Sequence, residues 1–412
     1  MKILFLNNFY YLRGGSERVL FEEMRLLQKA GHEVAIFARS NTNNVPSAYE
    51  EHFPDEISFE RSGFRLSLST AKEIIYSHSS RAGLRKVIDS FKPDLAHAHN
   101  IYGRLSTSVL DTLKETQIPT VLTLHDLKLL CPSYLMLNNG RVCERCKGNR
   151  FYNAIITRCH KQSYMASSVY ALETWFNIKF RKYDSVKYLI TPSRFLRDKV
   201  VEYGWNAEKI VYIPNFIDTQ KQAFSAETGD YSLFLGRLSR EKGVKTLLMA
   251  LKGLPANTHL VVAGDGPDRE ALQRVTTENA LPVTFKGYLN GSELEQTISG
   301  AKVIIMPSEW YENAPLSILE AFAYGKPVIG ARIGGVPEMI DEGVNGFLFE
   351  PGNVADLRDK WAIFLNLPDE KAGSMGLNAR KKVENEYSAE SHYEQLMAAY
   401  RKALGTQGER IP

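Results

Sequence analysis

The chain has 412 residues, too many for one hydrophobic core and enough for two domains of about 200 residues each. Apolar residues make up 44% and charged residues 24%, which excludes a disordered or low-complexity chain. The net charge of +4 is unevenly spread: residues 1–200 carry 29 Lys/Arg against 19 Asp/Glu, and residues 141–200 alone carry 13 against 4.

A basic block of this kind attracts nucleic acid, anionic lipid or a phosphorylated substrate, or is simply a solvated face. Nucleic acid is not expected as a partner, because no reader motif accompanies the charge and the second half is net acidic. No stretch approaches the roughly 20 apolar residues of a bilayer span, and the apolar run after Met1 is too short for a secretory leader. The expectation is a cytoplasmic protein, at most carried to the inner face of a membrane.

In chain order, Ile3–Leu6 is strand-like, Gly14-Gly15 makes a turn, and a helical pattern runs from about Glu17 to Ala30, where Gly31 suits a helix stop. Val34–Phe37, Leu95–Ala98 and Thr120–Leu124 read as further strands, with Val109–Leu113 in a helix between the last two. Residues 41–62 carry neither period and read as loop. The rhythm repeats in the second half: strands at Tyr231–Leu235, Leu260–Ala263, Val283–Phe285, Val303–Met306 and Val328–Gly330, helices at Val244–Leu251, Arg269–Thr276 and Leu316–Tyr324. Alternation of this kind predicts an α/β protein with two mainly parallel sheets, their strands covered on both faces. The expected divisions are 1–207, 208–385 and a last helix within 386–412 that packs on its own domain or crosses back to the first.

Four pieces of the second half converge on one chemistry. In Gly236-Arg237-Leu238-Ser239-Arg240-Glu241-Lys242-Gly243 a strand ends at a glycine and is followed by two cations five apart, on the sheet edge where α/β proteins bind ligands. A forked guanidinium and a compact ammonium suit a diphosphate, although surface cations are common. Ala263-Gly264-Asp265-Gly266-Pro267 is a ligand loop or a plain tight turn.

The stretch Pro307 to Ala321 holds Glu312 and Glu320, eight apart around a helix start. Glu312 lies in the loop and Pro315 at the first turn. The exposed N–H groups from Leu316 onward offer a phosphate site, and Glu320 is placed to accept from ribose hydroxyls. Gly334-Gly335 returns toward the same edge and reads mostly as architecture.

With these residues assembled, the sequence resembles the GT-B-fold retaining glycosyltransferases of glycosyltransferase family 4, over nearly the whole chain. The most specific stretch is Ser308 to Gly335, with its E-x7-E pair Glu312 and Glu320, and G-R-L-x-x-x-K-G at 236–243 adds to it. The resemblance implies two Rossmann-like domains facing each other across a cleft. It implies that Arg237 and Lys242 contact the donor diphosphate, that Glu312 with Asn313, Ala314 and Pro315 meets the donor hexose, that the Leu316 N–H meets phosphate, and that Glu320 binds ribose.

In the first half, Gly14-Gly15-Ser16 is a capping turn or a ligand loop on its residues alone, with Ser16 able to cap the following helix. The resemblance favours a loop facing the donor phosphates (Gly15) and the acceptor (Gly14, Ser16). His125 ends the strand from Thr120. It is a structural histidine or, as the resemblance implies, a catalytic residue near the donor hexose, alongside Glu312. His99 and Asn100 are candidate acceptor contacts, and His97 is packed or structural.

All four cysteines, Cys131, Cys143, Cys146 and Cys159, fall within 29 residues, the central pair as C-x2-C. A structural zinc on four thiolates is the expected reading, an iron–sulfur cluster and inert thiols being the alternatives, and disulfides only in an oxidised protein.

No D-x-D pair announces a divalent-metal clamp, and no catalytic cofactor is expected. The reaction implied is transfer from a nucleotide-diphosphate sugar, UDP favoured, to a saccharide or lipid-linked saccharide, in bacterial exopolysaccharide or surface polysaccharide synthesis. Peripheral contact with an anionic membrane would follow from the basic N-terminal half. The rival readings are a sugar-phosphate or glycogen/starch-type synthase on the same fold, and a non-catalytic nucleotide-sugar-binding scaffold. A nicotinamide dehydrogenase is disfavoured, since its glycine spacing and downstream carboxylate are not evident.

Overall fold

The computed structural model describes residues 1–57, 68–221 and 229–405. The chain forms two compact units. The first comprises Met1–Asn138, Cys143–Pro214 and the chain from Tyr393 onward; the second comprises Asn139–Val142 and Asn215–His392.

In the first unit, strands β1 (Lys2–Leu6), β2 (Glu33–Phe37), β3 (Leu95–Ala98) and β4 (Thr120–Thr123) alternate with α1 (Gly15–Lys29), α2 (Leu68–Ile75), α3 (His78–Phe91) and α4 (Ser108–Glu115). The segment after β4 holds two short extended pieces, β5 (Leu137–Asn138) and β6 (Arg141–Val142), then α5 (Tyr152–Ile156) and α6 (Tyr164–Lys179). Strand β7 (Val186–Thr191), α7 (Arg194–Glu202) and β8 (Ile210–Tyr212) follow. The sheet is parallel, in the order β2-β1-β3-β4-β7-β8. Because β8 completes this sheet, the division falls at Pro214–Asn215 and not at 207–208. Of the stretch read as loop, residues 41–57 contain one 3-10 turn, Glu50–His52, and residues 58–62 lie outside the described residues.

The second unit runs β9 (Tyr231–Leu235), α8 (Val244–Leu251), β10 (His259–Ala263), α9 (Arg269–Glu278), β11 (Val283–Gly287), α10 (Gly291–Ser299), β12 (Ala301–Met306), α11 (Leu316–Ala323), β13 (Val328–Ala331), α12 (Val336–Met339), β14 (Gly346–Phe349), α13 (Val354–Leu365) and α14 (Asp369–Glu386). Its parallel order is β11-β10-β9-β12-β13-β14. Alternate residues of each strand serve opposite faces. Leu233, Val261 and Ile304 pack with Leu319 and Phe322, whereas Phe234, Val262 and Ile305 pack with Leu247 and Trp361. Covering both faces requires the near-continuous apolar runs seen in the sequence.

The last helix, α15 (Ala389–Leu404), divides between the units at Tyr393. The Tyr400 hydroxyl lies 2.7 Å from His97 Nδ1, and Tyr393 lies 3.1 Å from His32 Nε2, all within the first unit.

Each strand order reverses once, between β1 and β3 in the first sheet and between β9 and β12 in the second. At such a switch point the two connections leave the carboxyl edge in opposite directions and open a crevice there. The residues that follow these four strands are therefore where ligand chemistry belongs.

Candidate functional site

In the second unit the connections after β9 and β12 are tied together. Glu309 N–H donates to Glu241 O at 2.8 Å, and Thr246 Oγ1 donates to Glu309 Oε1 at 2.5 Å. Gly243, at φ +67°, sits so close to Pro307 that a Cβ would lie 1.8 Å from its carbonyl oxygen. Only glycine accepts both that contact and that backbone angle. The glycine ending the G-R-L-x-x-x-K-G stretch thus lets its lysine reach the E-x7-E loop.

Lys242 Nζ donates to Glu312 Oε1 at 2.6 Å, and the same oxygen accepts from Ser308 Oγ at 2.6 Å and Trp310 Nε1 at 2.9 Å. Burial pushes the Glu312 carboxyl up, but Lys242, Ser308 and Trp310 outweigh it and hold it below its usual range. Glu312 is therefore a buried carboxylate kept charged at neutral pH. Its backbone is fixed from the other side: Gly335 N–H donates to Glu312 O at 2.8 Å, and Gly334 packs against the Glu312 peptide. The double glycine is indeed architecture, and what it supports is Glu312.

Four residues on, α11 starts at Leu316 with Pro315 as an extended N-cap and no side-chain cap, which leaves its first N–H groups for a ligand. Asn215 Nδ2 donates to Ala314 O at 2.9 Å and steadies the turn into the helix. Glu320, one turn inside α11, is buried. Arg237 is exposed on the β9–α8 connection. Asn215, Ser308 and Trp310 were not singled out from sequence; Ser308 and Trp310 lie four and two residues before Glu312, a proximity that could have flagged them.

In the first unit, Gly14 is the N-cap of α1 and no side chain caps it. Ser16 lies inside the first turn, so its expected capping role is corrected. Both glycines are exposed.

His125 follows β4, and its Nε2 shares a hydrogen bond of 2.7 Å with His99 Nδ1, the rings stacked. His99 Nε2 in turn lies 3.3 Å from Glu23 Oε2, on α1. His97 is fully buried, its Nδ1 at 2.7 Å from Tyr400 and its Nε2 at 2.7 Å from Thr123 Oγ1. His99 is equally buried, so it is an internal bridge between Glu23 and His125 rather than a surface for an acceptor. Asn100 is partly exposed, and its N–H donates to Asn7 Oδ1 at 3.0 Å. Burial, and then His99, push the His125 imidazole down to about 3, so it is neutral at working pH. The next residue, Asp126, is pushed up by burial to about 6 despite accepting from Lys128 N–H at 2.9 Å. Lys128 is itself buried and pairs with Glu173 at 2.7 Å. Glu23, Lys128 and Glu173 were not singled out from sequence; only the fold brings them beside the histidines.

The expected zinc site is not supported. Among the described residues, no three cysteine sulfurs lie within 4.8 Å of one another; the group that meets this spacing is Glu23, His97 and His99. Burial, then the neighbouring Cys131, Cys159 and Cys143, push the Cys146 thiol up to about 12. In the Glu23–His97–His99 group both His97 nitrogens already face hydroxyls.

Comparisons with known proteins agree with this architecture. Residues 13–221 match the family model Glycosyltransferase Family 4, and residues 216–382 match Glycosyl transferases group 1. The sulfoquinovosyl transferase SQD2 of Arabidopsis thaliana is 39% identical over 137 residues, 32% of this chain and only 26% of that protein. A glycogen synthase of Mycobacterium tuberculosis is 28% identical over 372 residues, covering 84% of this chain and 80% of that one. Among solved structures, Anabaena Alr3699/HepE in complex with UDP and glucose superposes with a TM-score of 0.68 at 19% identity, covering 98% of this chain and 100% of that one, a likeness of fold. Two family models that between them span both units, and a shared fold of two parallel-sheet lobes, establish that the chain belongs to Glycosyltransferase Family 4, the glycosyltransferases of GT-B fold.

Proposed function

We propose that the chain transfers a hexose from a nucleotide-diphosphate sugar, UDP favoured, to a saccharide or lipid-linked saccharide, with retention at the anomeric carbon and without a metal in the transfer step. The observation that carries this reading is the clustering of Lys242, charged Glu312 and the open start of α11 on one pair of loops, with Glu320 buried one turn deeper. A diphosphate needs cations and unsatisfied N–H groups, a hexose and a ribose need carboxylate acceptors, and here both sit within one helix turn of each other.

In the mechanism, the bond between the anomeric carbon and the terminal phosphate oxygen breaks, and its electron pair leaves with the diphosphate. Arg237, Lys242 and the α11 N–H groups stabilise that charge. The acceptor oxygen bonds on the same face, and its proton passes to the departing phosphate. Glu312, fixed as an anion, and neutral His125, held in plane by His99, orient the sugar. Gly14, Gly15 and Ser16 serve the phosphates and acceptor, Asn313 and Ala314 the hexose.

The relative complexed with UDP and glucose supports the choice of donor, and the setting proposed is bacterial exopolysaccharide or surface polysaccharide synthesis. The long match to a glycogen synthase favours a second reading, elongation of a glucan. Thermal-shift and calorimetric titration with UDP-, GDP- and ADP-sugars, followed by transfer to lipid-linked and glucan acceptors, separates the two. Stabilisation by none of the donors overturns both.

A further inference from the structure

Helix α6 is inverted. Its inward face buries Ser167, Glu173, Thr174 and Asn177, while its outward face carries Met165, Leu172 and Trp175, with Tyr164 and Phe180 at its two ends. A helix on a soluble protein normally does the reverse. The polar inner face has partners: Glu173 pairs with Lys128 at 2.7 Å, Asn177 Oδ1 accepts from Thr107 at 2.6 Å, and Ser167 Oγ accepts from His160 N–H at 3.0 Å. The apolar outer face is left to the surroundings. Seven of the sixteen exposed large apolar side chains among the described residues fall in 152–180, on α5 and α6; Ile156 is 65% exposed and Trp175 46%. Such concentration marks a contact surface, since scattered exposed apolar residues are ordinary.

The charge around this face selects the partner. From residue 145 to 182 there are eight Lys/Arg and one acid, and that acid is the buried Glu173. Lys179 is exposed at the end of α6, and Arg158 lies over the Tyr164 ring at 5.3 Å. Aromatic and aliphatic side chains ringed by cations fit the water–lipid boundary of an anionic bilayer, where rings sit at headgroup depth and cations meet phosphates. No helix among the described residues is long and apolar enough to cross a membrane, so such contact would be peripheral.

We propose that the outer face of α5 and α6 docks on anionic membrane, Leu172 and Trp175 entering the interface while Arg158 and Lys179 contact headgroups. The purpose rests on the lipid-linked acceptor reading above; the test does not. Co-sedimentation of the full chain with phosphatidylglycerol–phosphatidylcholine vesicles, and with phosphatidylcholine alone, measures it. The wild type should pellet with the anionic vesicles only and show a blue-shifted tryptophan emission. Leu172→Ser with Trp175→Ser should lower partitioning by about tenfold or more and remove the shift, as expected from lost interfacial apolar area. Arg158→Ser with Lys179→Ser should weaken binding mainly at low salt. Melting curves matching wild type verify that the variants fold, and transfer to a soluble acceptor should be unchanged. Equal pelleting of wild type and Leu172→Ser/Trp175→Ser overturns the proposal. So does a wild-type dimer that this double variant dissociates, because the face would then belong to a second copy. Vesicle binding without nucleotide-sugar binding would leave this proposal standing and remove the donor reading.

Discussion

The two sheets present their switch points differently. Beyond β9 and β12 the groups are charged or strongly polar: an ammonium, a carboxylate fixed as an anion, and uncapped helix N–H groups. In and just beyond β3 and β4 they are neutral or internally compensated: three adjacent imidazoles, His99 and His125 stacked and His125 held neutral, backed by Glu23 and Tyr400. The same topology therefore supports a charge-binding edge in one unit and an orienting, proton-poor edge in the other. On the reading proposed above, the charged edge serves the leaving group and the neutral edge the sugar.

The comparison is broken most directly through rate. His125→Ala should lower kcat by about 100-fold or more with little change in donor KM, the signature of an interaction made in the transition state. Glu23→Gln should move the same parameter less, about tenfold, since it acts only by orienting His99. Equal effects on KM and kcat in both variants would place the cluster in donor binding instead. Glu320→Ala should raise the donor dissociation constant by about 10- to 100-fold, the cost of losing hydrogen bonds to a charged group, and leave kcat nearly unchanged; isothermal titration decides.

Stability sharpens the contrast within the second unit. Lys242→Met leaves the buried Glu312 carboxylate without its cation and should cost about 3–5 kcal/mol in urea unfolding. Arg237→Met, on an exposed residue, should change unfolding by less than about 0.5 kcal/mol while still weakening diphosphate binding.

A further expected effect is on pH. His125 and His160 are held neutral, pushed down to about 3 and about 4, first by burial in each case. Unfolding frees both to take up protons below their ordinary value near 6.5, so stability should fall as pH drops from about 6.5 toward 4. Asp126, pushed up to about 6, acts oppositely over part of that range, gaining protons in the native state. Two imidazoles against one carboxyl leave a net loss on acidification, and His125→Asn should flatten the slope of unfolding free energy against pH.

How much of this could be read in advance follows from distance along the chain. Glu312, Leu316 and Glu320 lie within nine residues, so their spacing on a loop and helix is visible in one line of sequence, as is the apolar run of each parallel strand. The cluster around His125 draws on residues 23, 97, 99, 123, 125 and 400, which no local period connects. Helix α6 was invisible as a surface feature because both of its faces carry apolar residues, Ala166 and Ala171 inside and Leu172 and Trp175 outside; only burial tells which side faces in. The cysteines misled for the opposite reason. They are close in sequence, but among the described residues no three of their sulfurs fall within the spacing that sharing one ion requires.

Tyr400 has one more implication, for the ribosome. His97 at the centre of the first sheet takes a hydrogen-bond partner from α15, after every residue of the second unit has been made. The N-terminal lobe consequently cannot reach its final packing during its own synthesis. It must wait, with that imidazole incompletely covered, until Tyr400 has been made.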